Sequence, residues 1–578
     1  MLLPVAVLLP LGVATLLLVC AHLLPSRVST MAAIVTALTV AAICVLLARA
    51  ALAGPLVHWF GGWTPATSGR PDVVLGISLM ADPASAAVAA FTCLMFAASF
   101  VFAWGYFDEV HSHFEVLMLL FLAALVGFCL THDMFNLFVW FELMSVAAFA
   151  LTAYPLGKSS LEGAFNFTIT NALGSFMMLA GVGLLYARTG TLDFTTMARV
   201  VTAHGADPVL SGGFCLVAAA LLTKGAIVPF HLWLSDAHAV APSPVSVIFS
   251  GIMVSAALFV LAKIAMQIFA HDPPVMALVR NLLLWLGLAT AIVGGAMAYA
   301  QRHLKRLLAF STIAHLGIML TAVSAASPRG MAALLLYMFG HGLVKGTLFM
   351  LAGVLLALRA SADEIVLYRK GRDLLPAGIA MTFAGLMLGG LPVGLMHQAT
   401  DILDELSPAM MTAAIVASAL TGAAVLRAAA RIFFGVSGAP GPEMTAPTER
   451  ERERDERPLW LMLLPCAALL AMALAQGAAI DRFIGFAAPR LIDPAADASA
   501  PVAAHSSPTS YLPIALTLVL ALLSAVRRRP VRPFPRSLVR LELFPFRALR
   551  FLHSGLVADY VAWMIVGFAI LAGMLSWS

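Results

Sequence analysis

The stretch LLTKGAIVPFHLWLSDAHAV, residues 221–240, sets Lys224 at the end of an unbroken apolar run and follows it with Pro229, His231, Asp236 and His238. The lysine, the aspartate and the two histidines can take up and release protons. A second set lies in YMFGHGLVKGTLF, where Tyr337, His341 and Lys345 fall at i, i+4 and i+8 on one helical face. Hydroxyl, imidazole and ammonium in a column can each pass or accept a hydrogen bond, and imidazole titrates near pH 6.5 when unperturbed. The sharpest acid is Glu142, about halfway along DMFNLFVWFELMSVAAFALTAY, with Lys224 as its natural counter-charge. GGLPVGLMHQATD, residues 389–401, adds His397 and Asp401 behind a second proline. His315 in FSTIAHLGIML reads as a structural histidine, and Lys263 as a lysine whose long stem snorkels to the interface.

Such groups stand out because the rest of the chain avoids charge. Of 578 residues, 61% are hydrophobic and 11% charged, against roughly 25% charged in soluble domains. Apolar segments of about 20 residues, the length that crosses a bilayer, recur throughout. The fold class is an all-α polytopic membrane protein, since no alternating ten-residue pattern of a β-barrel is visible. A charge at the centre of a spanning helix costs roughly 2.5–3.5 kcal/mol on insertion scales, so several retained together point to a proton or ion pathway.

Sixteen spans are predicted, near 1–23, 30–52, 82–106, 114–131, 134–154, 162–187, 208–230, 243–270, 276–300, 305–326, 330–357, 375–398, 408–435, 459–480, 510–526 and 556–577. The first carries no basic n-region and is expected to be a span, not a cleaved signal. With the N-terminus outside, 23 of the 34 Lys and Arg residues fall in inner loops, as the positive-inside rule asks. Both ends are then expected outside. TERERERDERP (448–458) reads as a solvated inner loop, and the arginine-rich 527–551 as a segment lying on the inner leaflet or strapping a partner.

Pro229 and Pro392 should each interrupt a helix. Backbone freed at membrane depth is tolerated only where protein or water satisfies it, and broken midplane helices are how transporters build ion sites. The matched breaks suggest two related halves: spans four to eight (114–270) and nine to thirteen (271–435). Spans one to three (1–113, outer loop 53–81), the charged linker 436–458 and the C-terminal spans 459–578 flank them. Cys20, Cys44, Cys93, Cys129, Cys215 and Cys466 are scattered singly, without a C-x-x-C pair. No phosphate-binding or dinucleotide loop appears. The expectation is no cofactor, no metal, no redox or hydrolytic site and no nucleic-acid partner.

NLFVWFELMSVAAFAL, EGAFNFTITNALGSFMMLAGVGLLYARTGTLDF, KGAIVPFHLWLSDAHAVAPSPVS, LKRLLAFSTIAHLGIML and HGLVKGTLFMLAGVL occur in that order. Together they resemble the antiporter-like subunits of respiratory complex I and the large subunits of Mrp-type cation/proton antiporters and membrane-bound hydrogenases. The final LRFLHSGLVADYVAWMIVGFAIL is similar to the last span of the longer members, the complex I distal-subunit and hydrogenase-4 types. The resemblance implies two inverted five-helix repeats, each with a broken helix, in a subunit of the cell membrane that moves protons, or exchanges them for Na+, beside other membrane subunits. It implies that Glu142 and Lys224 are the fifth- and seventh-helix pair and that His341 and Lys345 form the eleventh-helix relay, with Tyr337 where many members have a histidine. His231 or His238 would carry the proton between them. Two usual lysines are absent: Ser255 stands in SGIMVSAAL, and LPVGLMHQATDILDE offers only His397 or Asp401. Four assignments stay open: a complex I-like or hydrogenase assembly, an Mrp-type exchanger, a partner in bicarbonate uptake, and a non-pumping structural member.

Overall fold

The computed structural model describes residues 2–21, 23–64, 74, 76–107, 112–205, 207–270, 272–436, 459–475, 478–493, 508–526 and 557–575. The charged run 448–458 and the arginine-rich segment 527–551 lie outside them. Helices dominate. The first three are α1 (Leu2–Val19), α2 (Ser26–Ala50) and α3 (Pro83–Tyr106), with an antiparallel hairpin of β1 (Leu56–Trp59) and β2 (Ser78–Ala81) before α3.

Next come α4 (Ser112–Leu130), α5 (Met134–Ala153), α6 (Lys158–Thr189), α7 (Phe194–His204), α8 (Pro208–Lys224), α9 (Leu232–Val240), α10 (Ser243–Ile248) and α11 (Val254–Ile268). A π turn, Phe249–Met253, joins α10 to α11. The series continues with α12 (Pro273–Ala300), α13 (Leu304–Ser324), α14 (Pro328–Arg359), α15 (Leu375–Leu388), α16 (Leu395–Leu406) and α17 (Pro408–Ala429). Last are α18 (Leu459–Ala473), α19 (Ala478–Ile492), α20 (Leu512–Val526) and α21 (Val557–Leu575).

Local sequence explains where many of these helices start. Asp82, Asp133, Asp193, Asp207, Asp272, Ser327 and Ser407 each accept a hydrogen bond from an amide of the first turn that follows, Asp207 from two, which satisfies orphan donors at these helix starts. Packing then places α10–α11, α13 and α14 at the centre, where nearly every residue is buried, while α1 and α2 keep much of their surface open. Small residues allow the closest approaches. A Cβ on Gly317 of α13 would lie 2.5 Å from the Ala291 nitrogen of α12.

Among the described residues eleven helices are long and apolar enough to cross a membrane, and five shorter apolar helices fall at the other expected spans. Two helices were not expected. In α7 and α19 the apolar residues gather on one helix face and the polar ones on the other, so along the sequence the two alternate and neither shows the long apolar run that marks a span.

The two breaks share one hydrogen-bond pattern. After α8, the amides of Gly225, Ala226 and Ile227 donate to the carbonyls of Leu221, Thr223 and Leu222. After α15, those of Gly389, Gly390 and Leu391 donate to Gly385, Met387 and Leu386. The middle residue of each has positive φ, 50° at Ala226 and 91° at Gly390. Glycine adopts this freely and alanine only under strain.

Candidate functional site

Lys224 is the last residue of α8 and is fully buried. Its ammonium donates to Ser145 Oγ at 2.7 Å, and Ser145 donates to the Phe141 carbonyl, one turn back on α5, also at 2.7 Å. Three rings surround the charge, with the centroids of Phe141, Phe149 and Phe167 at 4.6, 5.9 and 5.7 Å. A desolvated cation gains about 2 kcal/mol or more over an aromatic face. Phe167 is stacked on Trp233 of α9 at 4.3 Å, and Trp233 Nε1 donates to the Thr223 carbonyl at 2.9 Å. The break thus returns the chain so that α9 braces the cage around the lysine ending α8.

Glu142 does not touch Lys224, contrary to the expected pairing. It is half-buried, one turn before Ser145, and its Oε1 accepts from Ser175 Oγ of α6. It acts on the ammonium through space. Each charge of the pair is therefore met by its own serine. Neither serine was singled out in the sequence, although Ser145 at i+3 from Glu142 was the available signal.

The second cluster lies where α13 and α14 meet. Tyr337 Oη and His315 Nδ1 are 2.7 Å apart, His315 Nε2 is 2.9 Å from Thr421 Oγ1 of α17, and the His315 and His341 rings are 5.3 Å apart. Lys345 Nζ donates to the Leu308 carbonyl at 3.0 Å; Thr312 Oγ1 donates to the same oxygen at 2.9 Å and is 2.6 Å from Ser250 Oγ in the π turn. Tyr337, His341 and Lys345 share a face, and that face meets α13. His315, read from the sequence as merely structural, is the hub: both ring nitrogens are bonded and His341 is its neighbour. Neither ring nitrogen of His341 has a hydrogen-bond partner among the described residues. Gly342 lets α14 press on the π turn, since a Cβ there would fall 2.4 Å from the Gly251 carbonyl oxygen.

His238 lies between the clusters. It stacks on Phe349, one turn beyond Lys345, at 4.5 Å, and meets Phe249 at 5.8 Å; Phe249 in turn meets Phe167 of the lysine cage at 5.8 Å. The imidazole is fully buried, neither ring nitrogen has a hydrogen-bond partner among the described residues, and Lys305 and Lys345 are within electrostatic reach. His231 sits at the opposite end of α9, at its N-cap beside the break. Asp236 accepts from Tyr560 Oη of α21 at 2.6 Å and is 3.8 Å from Arg306.

His397 and Asp401 pair with each other along α16 at 3.5 Å. No hydrogen bond among the described residues joins either to the second cluster, although the break before α16 abuts it. A Cβ on Gly340, next to His341, would lie 2.9 Å from the Met396 nitrogen. Lys263 does not snorkel. It is 1% exposed, donates to Ser85 Oγ and to the carbonyls of Cys129 and Thr131, and lies 3.9 Å from the buried carboxylate of Asp82. Buried partners outcompete the interface for its ammonium. Among the described residues no group of three or more His, Cys, Asp or Glu side chains is placed to hold a metal ion.

The family described as NADH:quinone oxidoreductase/Mrp antiporter, TM, matches residues 131–432, the stretch that holds both clusters and both breaks. NADH-quinone oxidoreductase subunit N of Desulforudis audaxviator is 29% identical over 429 residues, 72% of this chain and 83% of that protein. An Na(+)/H(+) antiporter subunit of Bacillus subtilis is 29% identical over 242 residues, 42% of this chain and 48% of that protein. Among solved structures, a chain of the Mrp complex from Dietzia sp. DQ12-45-1b superposes with a TM-score of 0.73 at 23% identity, covering 85% of this chain and 97% of that one. A chain of respiratory complex I from Thermus thermophilus gives 0.64 at 22% identity, covering 84% and 99%. These structures share its fold.

Proposed function

The chain belongs to the NADH:quinone oxidoreductase/Mrp antiporter membrane family, and from that premise we propose that it is the proton-translocating, antiporter-like subunit of a multi-subunit membrane complex. The observation that carries this reading is Lys224: an ammonium fully buried at a helix break, held by a hydroxyl and a ring cage, with its acid close but not in contact.

That arrangement makes proton affinity adjustable. While Glu142 is ionised nearby, its charge and the rings hold the proton on Lys224. When a neighbouring protein of the complex draws Glu142, with the Ser175 hydroxyl that it accepts from, away from Lys224, burial favours the neutral amine. A two-unit swing in proton affinity is worth about 2.7 kcal/mol, enough to change the occupied state. The released proton passes His238, whose ring nitrogens are open to it, and reaches Lys345, His341 and His315. Water completes the gaps, as buried polar groups at membrane depth require.

The surrounding architecture supports this role. We propose sixteen crossings, both ends outside, and two inverted halves, 114–270 and 271–435. Energy comes from neighbouring membrane subunits, as the complexes formed by its structural relatives suggest. Similarity to part of an Na(+)/H(+) antiporter favours Na+ exchange as the second reading. The test is acidification by vesicles holding the whole assembly, with Glu142→Gln and Lys224→Ala. Loss of flux in both supports the scheme, and undiminished pumping by both refutes it. Flux that needs Na+ but no electron donor selects the second reading.

A further inference from the structure

Two sets of backbone bonds place the halves in register. Met134 N–H donates to Leu192 O and Phe194 N–H to His132 O; 170 residues later, Leu304 N–H donates to Ala362 O and Glu364 N–H to Arg302 O. α6 and α14, each of 32 residues, keep that spacing. From the breaks onward the spacing is 164 residues, as Gly225 and Gly389 show.

On this register Lys263 of α11 corresponds to Arg427 of α17, and the two do the same thing. Lys263 Nζ donates to the carbonyls of Cys129 at 3.5 Å and Thr131 at 3.2 Å. The Arg427 guanidinium donates to those of Tyr299 and Gln301, both at 2.7 Å, and these acceptors are again 170 residues further on. Each cation is buried, and each has a buried carboxylate: Asp82 at 3.9 Å for Lys263, Glu364 at 3.3 Å for Arg427. The carboxylates do not correspond, because Asp82 caps α3 and Glu364 follows α14, where the first half has Phe194. What the halves share is a cation on the carbonyls that end α4 and α12, the negative pole of each helix.

We propose that Lys263 and Arg427 are equivalent positioning residues. Each ties the last helix of its half to the end of the first, which closes the half. The chain turns into α5 within three residues of Thr131, so Lys263 fixes the depth of Glu142 and Ser145 opposite Lys224. Arg427 does the same for α13, which carries Thr312 and His315 opposite Lys345 and His341. This inference rests on the proton-transfer reading for its functional consequence and on geometry alone for the clamp.

The test uses the full chain with its native partners. Hydrogen exchange of amides 131–136 is expected to quicken at least tenfold in Lys263→Met and that of 301–306 to stay unchanged, with the reverse in Arg427→Met. Lys263→Arg is expected to restore slow exchange and proton flux to within about threefold of the parent, because arginine already fills the role in the other half. If Lys263→Met does not assemble, Lys263→Gln, uncharged but able to donate, is read in the same way. Unchanged exchange in the neutral variants, or Lys263→Arg as impaired as Lys263→Met, overturns the clamp. Quickened exchange with undiminished flux keeps the clamp and discards its role in transfer.

Discussion

Lys224 reaches α5 at Ser145, one turn beyond Glu142, and not at Glu142 itself. A direct buried ion pair would hold its proton tightly and cost several kcal/mol to break. With a serine under the ammonium, no ion pair has to be broken when the acid withdraws, and on the proposed mechanism a neighbouring subunit can match the energy that holds the proton.

Removing that hydroxyl tests the point. Ser145→Ala takes away a hydrogen bond to a charged group, worth about 1.5–3 kcal/mol, and leaves Glu142 in place. We expect proton flux to fall roughly tenfold, with Ser145→Thr near the parent. Equal flux in Ser145→Ala would show that the serine is incidental.

The contact between Gly342 and the Gly251 carbonyl gives a packing prediction. Gly342→Ala pushes α14 off the π turn, an overpacking cost of about 1–3 kcal/mol, and separates Ser250 from the Thr312–Lys345 group. A lowered melting temperature in detergent, together with slower flux, is the expected result. An unchanged melt would mean the backbones part without resistance.

His303 lies outside the spans, between α12 and α13, and its imidazole is pushed down to about 4, by burial first and then by Lys305 and Arg306, with Asp363 opposing. Between the ordinary imidazole range and that value the unfolded chain binds a proton that the folded chain refuses. Stability therefore falls as pH drops from about 6.5 towards 4, by at most about 1.4 kcal/mol per pH unit. His303→Gln should flatten that part of the melting-temperature profile and leave the alkaline part alone. A profile that keeps its slope would place the acid lability elsewhere.

Tyr560→Phe deletes the bond to Asp236 that ties α21 to α9. Faster hydrogen exchange across 231–240 is expected, with a change of about tenfold or more for a bond of about 1.5–3 kcal/mol to a carboxylate. Exchange identical to the parent would show that apolar packing alone, such as Gly567 against Pro229 and Phe230, holds the two helices.

How much of this was readable from the sequence depends on whether a residue acts along its own helix or across to another. Tyr337, His341 and Lys345 were legible because i, i+4, i+8 fixes a face, and both breaks because Pro229 and Pro392 lack an amide. Ser145 and Ser175 were not, because which hydroxyl meets which charge is set by the rotation of α5 against α6 and α8. His315 looked ordinary since its partners come from α14 and α17. Lys263 misled for the same reason: near a helix end a lysine has interface within reach, and the partners that hold it inside, Asp82, Ser85 and the carbonyls of Cys129 and Thr131, all lie on distant segments. α7 and α19 lacked the long apolar run on which the count of spans relied.

Lys224 and Lys345 are each satisfied by uncharged oxygen, a hydroxyl and a carbonyl, with no carboxylate in ion-pair contact among the described residues. An uncancelled charge part-way through an insulating layer feels the membrane voltage, up to about 2.3 kcal/mol per elementary charge for a full crossing at 100 mV. Polarising the bilayer, with equal pH on both sides, should by itself bias which of the two ammonium groups is loaded, which on the proposed mechanism adds an electrical load to the pull of its neighbours.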